Sequence, residues 1–222
     1  PNDPHHPVTR LISLENTHNR CGGTVVPLEY TRQAGAFAQE KGLALHLDGA
    51  RLFNAAVALG RPARELAEPF DSVTVCLSKA LCAPVGSVLC GSQEFIRRAH
   101  RIRKQLGGGM RQAGVLAAAG ILALESMVER LAEDHARAKR LAGGLRAIPG
   151  LVLDPPAPDT NMVFVGLAPE VPLETAQVVE QLKARGVRIG VTGSRRFRLV
   201  LHYWIDDAGV EQALSAFRDV LQ

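Results

Sequence analysis

A chain of 222 residues, 46% hydrophobic, with 26 basic and 22 acidic residues and a net charge of +4, has globular composition and enough length for one large core or two smaller domains. Few aromatics and no nucleic-acid motif argue against a nucleic-acid partner; the one candidate polyanion patch is Arg97, Arg98, Arg101, Arg103 and Lys104. Cys21, Cys76, Cys82 and Cys90 show no Cys-x-x-Cys spacing, and adjacent His5 and His6 point apart in an extended chain, so neither a disulfide framework nor a metal site is expected.

Residues 1–10 carry three prolines and no periodicity, which predicts a loop leading into a short strand over Thr9–Leu14. The start, Pro1-Asn2-Asp3-Pro4, has no initiator Met and reads as the continuation of something longer. Between Pro27 and Gly42, Leu28, Tyr30, Ala34, Phe37 and Ala38 recur at helical spacing, and Lys41-Gly42 is a helix stop. The run Leu43–Leu47 closing on Asp48, and the run Val73–Leu77 preceding Ser78-Lys79, are apolar at almost every position, as in parallel strands covered on both faces. Strand, helix, strand, helix, strand is the rhythm of an α/β sheet. Val85–Leu89 adds a strand whose short link predicts antiparallel pairing.

Further on, Gln93–Gln105 is a charged amphipathic helix interrupted by Gly107-Gly108-Gly109. The stretch 112–148 is too long for one helix, and Ser126-Met127-Val128-Glu129 supplies a capping box that would start a second. The longest strongly apolar stretch, 113–124, is shorter than the roughly 20 residues a membrane helix needs, and there is no signal peptide, so a soluble cytoplasmic protein without a membrane partner is expected. Residues 155–160 read as a stiff loop; short strands fall near Met162–Val165 and Arg196–Leu201, and helices over Glu174–Arg185 and Ala208–Leu221.

Asp48 and Lys79 both end strands on this reading, at the sheet edge where open α/β proteins bind ligands. An acid for a pyridine nitrogen and an amine for an aldehyde are what pyridoxal phosphate requires. Leu77 and Ala80–Val85 give Lys79 an apolar setting, and burial would lower its pKa toward the nucleophilic neutral form. Taken singly, Asp48 is equally a cap for a helix starting near Ala50, and Lys79 a surface lysine.

His46–Leu52 and Leu77–Ser87 resemble the low-specificity or allo-threonine aldolases, as do 14–19 with 22–25, 106–114 and 197–202, five collinear blocks spanning residues 11–202. The resemblance implies an α/β chain of the aspartate aminotransferase-like fold type I: an incomplete, mostly parallel cofactor-binding sheet with flanking helices over residues 1–130, and a smaller C-terminal α/β domain over 131–222. It implies a pyridoxal phosphate enzyme that cleaves threonine or allo-threonine, β-hydroxy amino acids, to glycine and acetaldehyde, assembled as a dimer-based tetramer. Lys79 would hold the cofactor aldehyde and Asp48 its ring nitrogen. Arg51, three residues after Asp48, would touch the cofactor or the substrate carboxylate, Arg198 would bind that carboxylate, and Gly109 with Arg111 would lie near the cofactor phosphate. His18 and His202 stay unassigned. The family's phosphate-cradling Gly-Ser or Gly-Thr turn and ring-stacking histidine fall upstream of the matched region, so the chain covers about two thirds of the pattern, and a truncated, non-catalytic subunit is one alternative. A β-eliminating lyase of the same fold is another.

Overall fold

The structure, a computed structural model, describes residues 3–221; Pro1 and Asn2 of the expected opening loop, and Gln222, lie outside the described residues. The chain divides into two units, one of Pro1–Thr17 with Val26–Glu125, the other of His18–Val25 with Ser126–Gln222.

The first unit runs β1 (Leu11–Glu15), α1 (Leu28–Glu40), β2 (Ala44–Asp48), α2 (Leu52–Leu59), α3 (Ala63–Ala67), β3 (Ser72–Cys76), β4 (Ser87–Gly91), α4 (Gln93–Gln105) and α5 (Gly114–Ser126). Its sheet has the order β1-β2-β3-β4. β1 pairs parallel with β2, with Glu15 opposite Asp48, and β2 pairs parallel with β3, with Asp48 opposite Thr74. β4 returns antiparallel on β3 as its short link requires. Leu45 and Leu47 are buried while Ala44 is exposed and His46 only half-buried. Among the described residues the two faces of the sheet at β2 are thus unequally covered, with His46 half-buried beside the buried Ser72 on the second face. His46 Nδ1 lies 2.8 Å from Ser72 Oγ and its Nε2 3.4 Å from Thr74 Oγ1.

The second unit runs α6 (Leu131–Arg146), β5 (Leu151–Leu153), β6 (Met162–Leu167), α7 (Thr175–Ala184), β7 (Gly190–Gly193), β8 (Arg196–Val200) and α8 (Asp207–Leu221). Its sheet, β5-β6-β8-β7, is antiparallel throughout. Apolar residues of α8 at helical spacing, Val210, Ala213, Leu214 and Phe217, join Leu141 and Leu145 of α6 and Val163, Val165 and Phe197 of the sheet in one core.

One local expectation fails. Ser126 ends α5 rather than capping α6, whose N-cap position is Arg130 with no side-chain cap. Arg130 instead pairs with the fully buried Asp134 one turn on, Nη2 to Oδ1 at 2.6 Å and Nη1 to Oδ2 at 3.2 Å. The apolar, Ala-rich α5 propagates through Ser126, and this ion pair replaces the capping box. At the end of α4, Gly107 is left-handed at φ +84°, and the Gly107 and Gly108 N–H groups donate to the Lys104 and Arg103 carbonyls. That is a helix terminus capped by its own chain. Those two donors are engaged within the helix terminus, and Gly109 and Arg111, the residues the resemblance sets near the cofactor phosphate, follow it.

Candidate functional site

In the first unit the site is built at the carboxyl ends of β2 and β3. Asp48 is the last residue of β2, and its Oδ1 accepts the Ala50 N–H at 3.1 Å. That bond turns the chain immediately after the strand and fixes the carboxylate by a local turn. Leu52 N–H then bonds Gly49 O at 2.8 Å and α2 begins. Gly49 passes so close to β3 that a Cβ there would lie 2.9 Å from Thr74 O. Asp48 is thus neither buried nor the cap of α2, whose N-cap position is Arg51. Arg51 has φ −127° and ψ 31°, so it precedes the helix instead of sharing a helical face with Asp48.

Lys79 follows β3 by three residues, in a loop folded back on itself by hydrogen bonds from Leu77 N–H to Gly86 O, Ala83 N–H to Leu77 O and Cys82 N–H to Lys79 O. Leu77, Ala80, Leu81 and Ala83 are buried, and α5 presses on the loop where Gly120 meets Leu77. These apolar neighbours turn inward and leave Lys79 exposed. The apolar setting expected from its flanks anchors the loop without enclosing the amine. Parallel pairing of β2 with β3 brings Asp48 and Lys79 to one sheet edge. Gly109 is half-buried and Arg111 exposed in the segment between α4 and α5. A cavity of about 660 Å³ lined by Arg32, Leu43 and Asp71 opens at the opposite, amino-terminal end of β2.

In the second unit, Arg198 of β8 stands opposite Phe164 of β6 and lines a cleft of about 530 Å³ with Asn19, Arg20, Phe164, Thr192 and Arg196. The arginines near it differ in their commitments. Arg195 donates to the carbonyls of Leu167, Ala168 and Val171. Arg196 donates to Asp154 O at 2.6 Å, pairs with the Asp154 carboxylate at 3.4 Å and lies 4.7 Å from the Phe164 ring centroid. Arg198 donates to Asn19 Oδ1 at 2.8 Å and carries no carboxylate partner among the described residues. Asn19 falls in the 14–19 block of the resemblance but was given no role there, because no spacing links it to a residue 179 positions away. His18 Nδ1 accepts the Cys21 N–H and His202 Nδ1 the Trp204 N–H.

The donor set at the β2–β3 edge, one exposed carboxylate and one exposed primary amine on neighbouring strand ends, fits the ring nitrogen and aldehyde of pyridoxal phosphate. A mostly parallel sheet with its candidate ligand groups at the carboxyl edge and a second α/β unit after it defines the class: an aminotransferase-like, fold type I protein. The family model of the β-eliminating lyases matches residues 1–168, and the chain belongs to that family. It is 50% identical over 221 residues to the low specificity L-threonine aldolase of Escherichia coli (strain K12), covering 100% of this chain and 63% of that protein. The threonine aldolase of Leishmania major superposes with a TM-score of 0.79 at 20% identity, over 100% of this chain and 64% of that one. A histidinol-phosphate aminotransferase from Clostridium acetobutylicum does so with a TM-score of 0.68 at 15% identity, over 95% of this chain and 63% of that one. The chain spans 60–63% of the length of the first curated relatives it matches. No helix of the described residues is long and apolar enough to cross a membrane.

Proposed function

We propose that this chain carries the reactive lysine and the ring-nitrogen acid of a low-specificity threonine aldolase, which cleaves a β-hydroxy amino acid to glycine and an aldehyde. The observation that carries the reading is the convergence of Asp48 and Lys79 on one edge of a parallel sheet, in a chain half identical to a named threonine aldolase. Pyridoxal phosphate, when bound, supplies an electron sink for the pair left on Cα as the Cα–Cβ bond breaks. Lys79 would hold it through its Nζ, and Asp48, with Oδ1 already fixed by Ala50 N–H, would keep a proton on the ring nitrogen by opposing its charge. Arg51, Gly109 and Arg111 are the further proposed cofactor ligands. Arg198 would take the substrate carboxylate through parallel N–H donors, a geometry that lysine cannot reproduce, with Arg51 as a second proposed contact. A cytoplasmic setting and a homo-oligomeric assembly, the latter implied by the family resemblance, belong to the same proposal.

The family description favours one second reading, β-elimination from an amino acid. Products separate the two. The intact protein containing this sequence, given L-threonine and L-allo-threonine with pyridoxal phosphate, should release acetaldehyde and glycine in equal amounts. Release from neither isomer, with an elimination product from another amino acid, would replace the aldolase reading with the second.

A further inference from the structure

Arg198 Nη1, on the Cδ side of the guanidinium, donates to Asn19 Oδ1 at 2.8 Å. Nε is buried without a partner, and Nη2 has none among the described residues. Nε–H and Nη2–H point in parallel from the opposite edge, the pair of donors that matches the two oxygens of a carboxylate. Asn19 therefore occupies the nitrogen that this edge does not use, and its bond fixes the rotation of the plane.

The loop carrying Asn19 is itself held. Gly22 and Gly23 adopt φ +83° and +77°, which L side chains rarely do, and a Cβ on Gly23 would lie 2.6 Å from Met162 Cε. Gly22 likewise leaves no room for a Cβ against Pro155. Val25 N–H donates to Asp159 Oδ2 at 2.9 Å, so the loop is tied to the segment before β6 on its far side as well. Arg196, in the same cleft, is already neutralised by Asp154 and stacked on Phe164, so it forms a wall; Arg20 and Arg198 are the cleft's cations without a carboxylate partner among the described residues, and of the two Arg198 is the one held by Asn19.

We propose that Asn19 is a positioning residue for substrate recognition: it holds Arg198 so that the Nε and Nη2 edge receives the α-carboxylate of the amino acid. This role rests on the reading of Arg198 as the carboxylate ligand. In the intact enzyme, Asn19→Ala should raise KM for L-threonine about tenfold, the effect of losing a hydrogen bond to a charged group, with kcat changed less than about twofold. Asn19→Ser, which keeps a hydroxyl, should fall between. Arg198→Lys should raise KM further, and adding Asn19→Ala to it should raise KM no more, because the guanidinium it orients is gone. A KM unchanged by Arg198→Lys would overturn the reading of Arg198 and the role of Asn19 with it. Equal factors from Asn19→Ala in both backgrounds, or a loss confined to kcat, would overturn the role of Asn19 alone.

Discussion

Asp48 and Lys79 do their work with different constraints. Asp48 is fixed by the Ala50 N–H, so Asp48→Asn keeps the turn but removes the charge that would hold a proton on the ring nitrogen. The expected outcome is a protein that still takes up pyridoxal phosphate, seen by its yellow colour, with kcat for threonine cleavage down by about 10²-fold or more. His135 gives a second residue-scale expectation. Burial pushes its pKa down to about 4 from 6.5, against the opposing pull of the Asp134 carboxylate, with Lys139 adding to the lowering. Between those values the unfolded chain binds more protons than the folded one, so the contribution is complete above about pH 6.5 and is lost as pH falls toward 4. Urea midpoints at pH 7 and pH 5 should differ, and His135→Gln should narrow the difference. Asp48 and Lys79 were singled out in the sequence because each closes an apolar run, and Arg198 through the resemblance to the aldolases. Asn19 was given no role, since its value comes from a contact made only when β8 and the 18–25 loop come together.

At the scale of elements, most strands and helices were legible, and the exceptions share a cause. β7 is Gly190-Val-Thr-Gly193, with every residue exposed and no alternation; it is a strand because β8 supplies its partners across a bulge. β5 has three residues, below the length at which a period shows. The capping-box pattern at Ser126 lost to tertiary pairing of Arg130 with Asp134, reinforced by the Tyr203 ring 5.2 Å from the Arg130 guanidinium. Arg130→Ala leaves a fully buried carboxylate unpaired, and a loss of about 3 kcal/mol or more in unfolding free energy is expected by chemical denaturation. The turn after β2 makes a sharper test. Gly49→Ala places a methyl 2.9 Å from Thr74 O, against backbone that cannot swing away, and should cost about 1–3 kcal/mol while displacing Asp48. A variant as stable and active as the parent would show that the strand-end turn does not set the carboxylate.

At the scale of the whole molecule, each unit has its own sheet, and the candidate groups are distributed between them: Asp48, Arg51, Lys79, Gly109 and Arg111 in the first, Asn19 and Arg198 in the second. The boundary expected at residues 130 and 131 lies instead at Glu125 and Ser126, and residues 18–25 fall in the second unit, an assignment no sequence pattern carries because it depends on Val25 and Gly23 meeting Asp159 and Met162. The account stands or falls on Lys79 as the residue that carries pyridoxal phosphate. Reduction of the cofactor-loaded intact protein with borohydride, followed by proteolysis and mass spectrometry, reads this directly. The pyridoxyl mass should sit on the peptide containing Lys79 and be absent from Lys79→Ala; the same label on Lys41, Lys104 or another lysine, with Lys79 unmodified, would contradict the account.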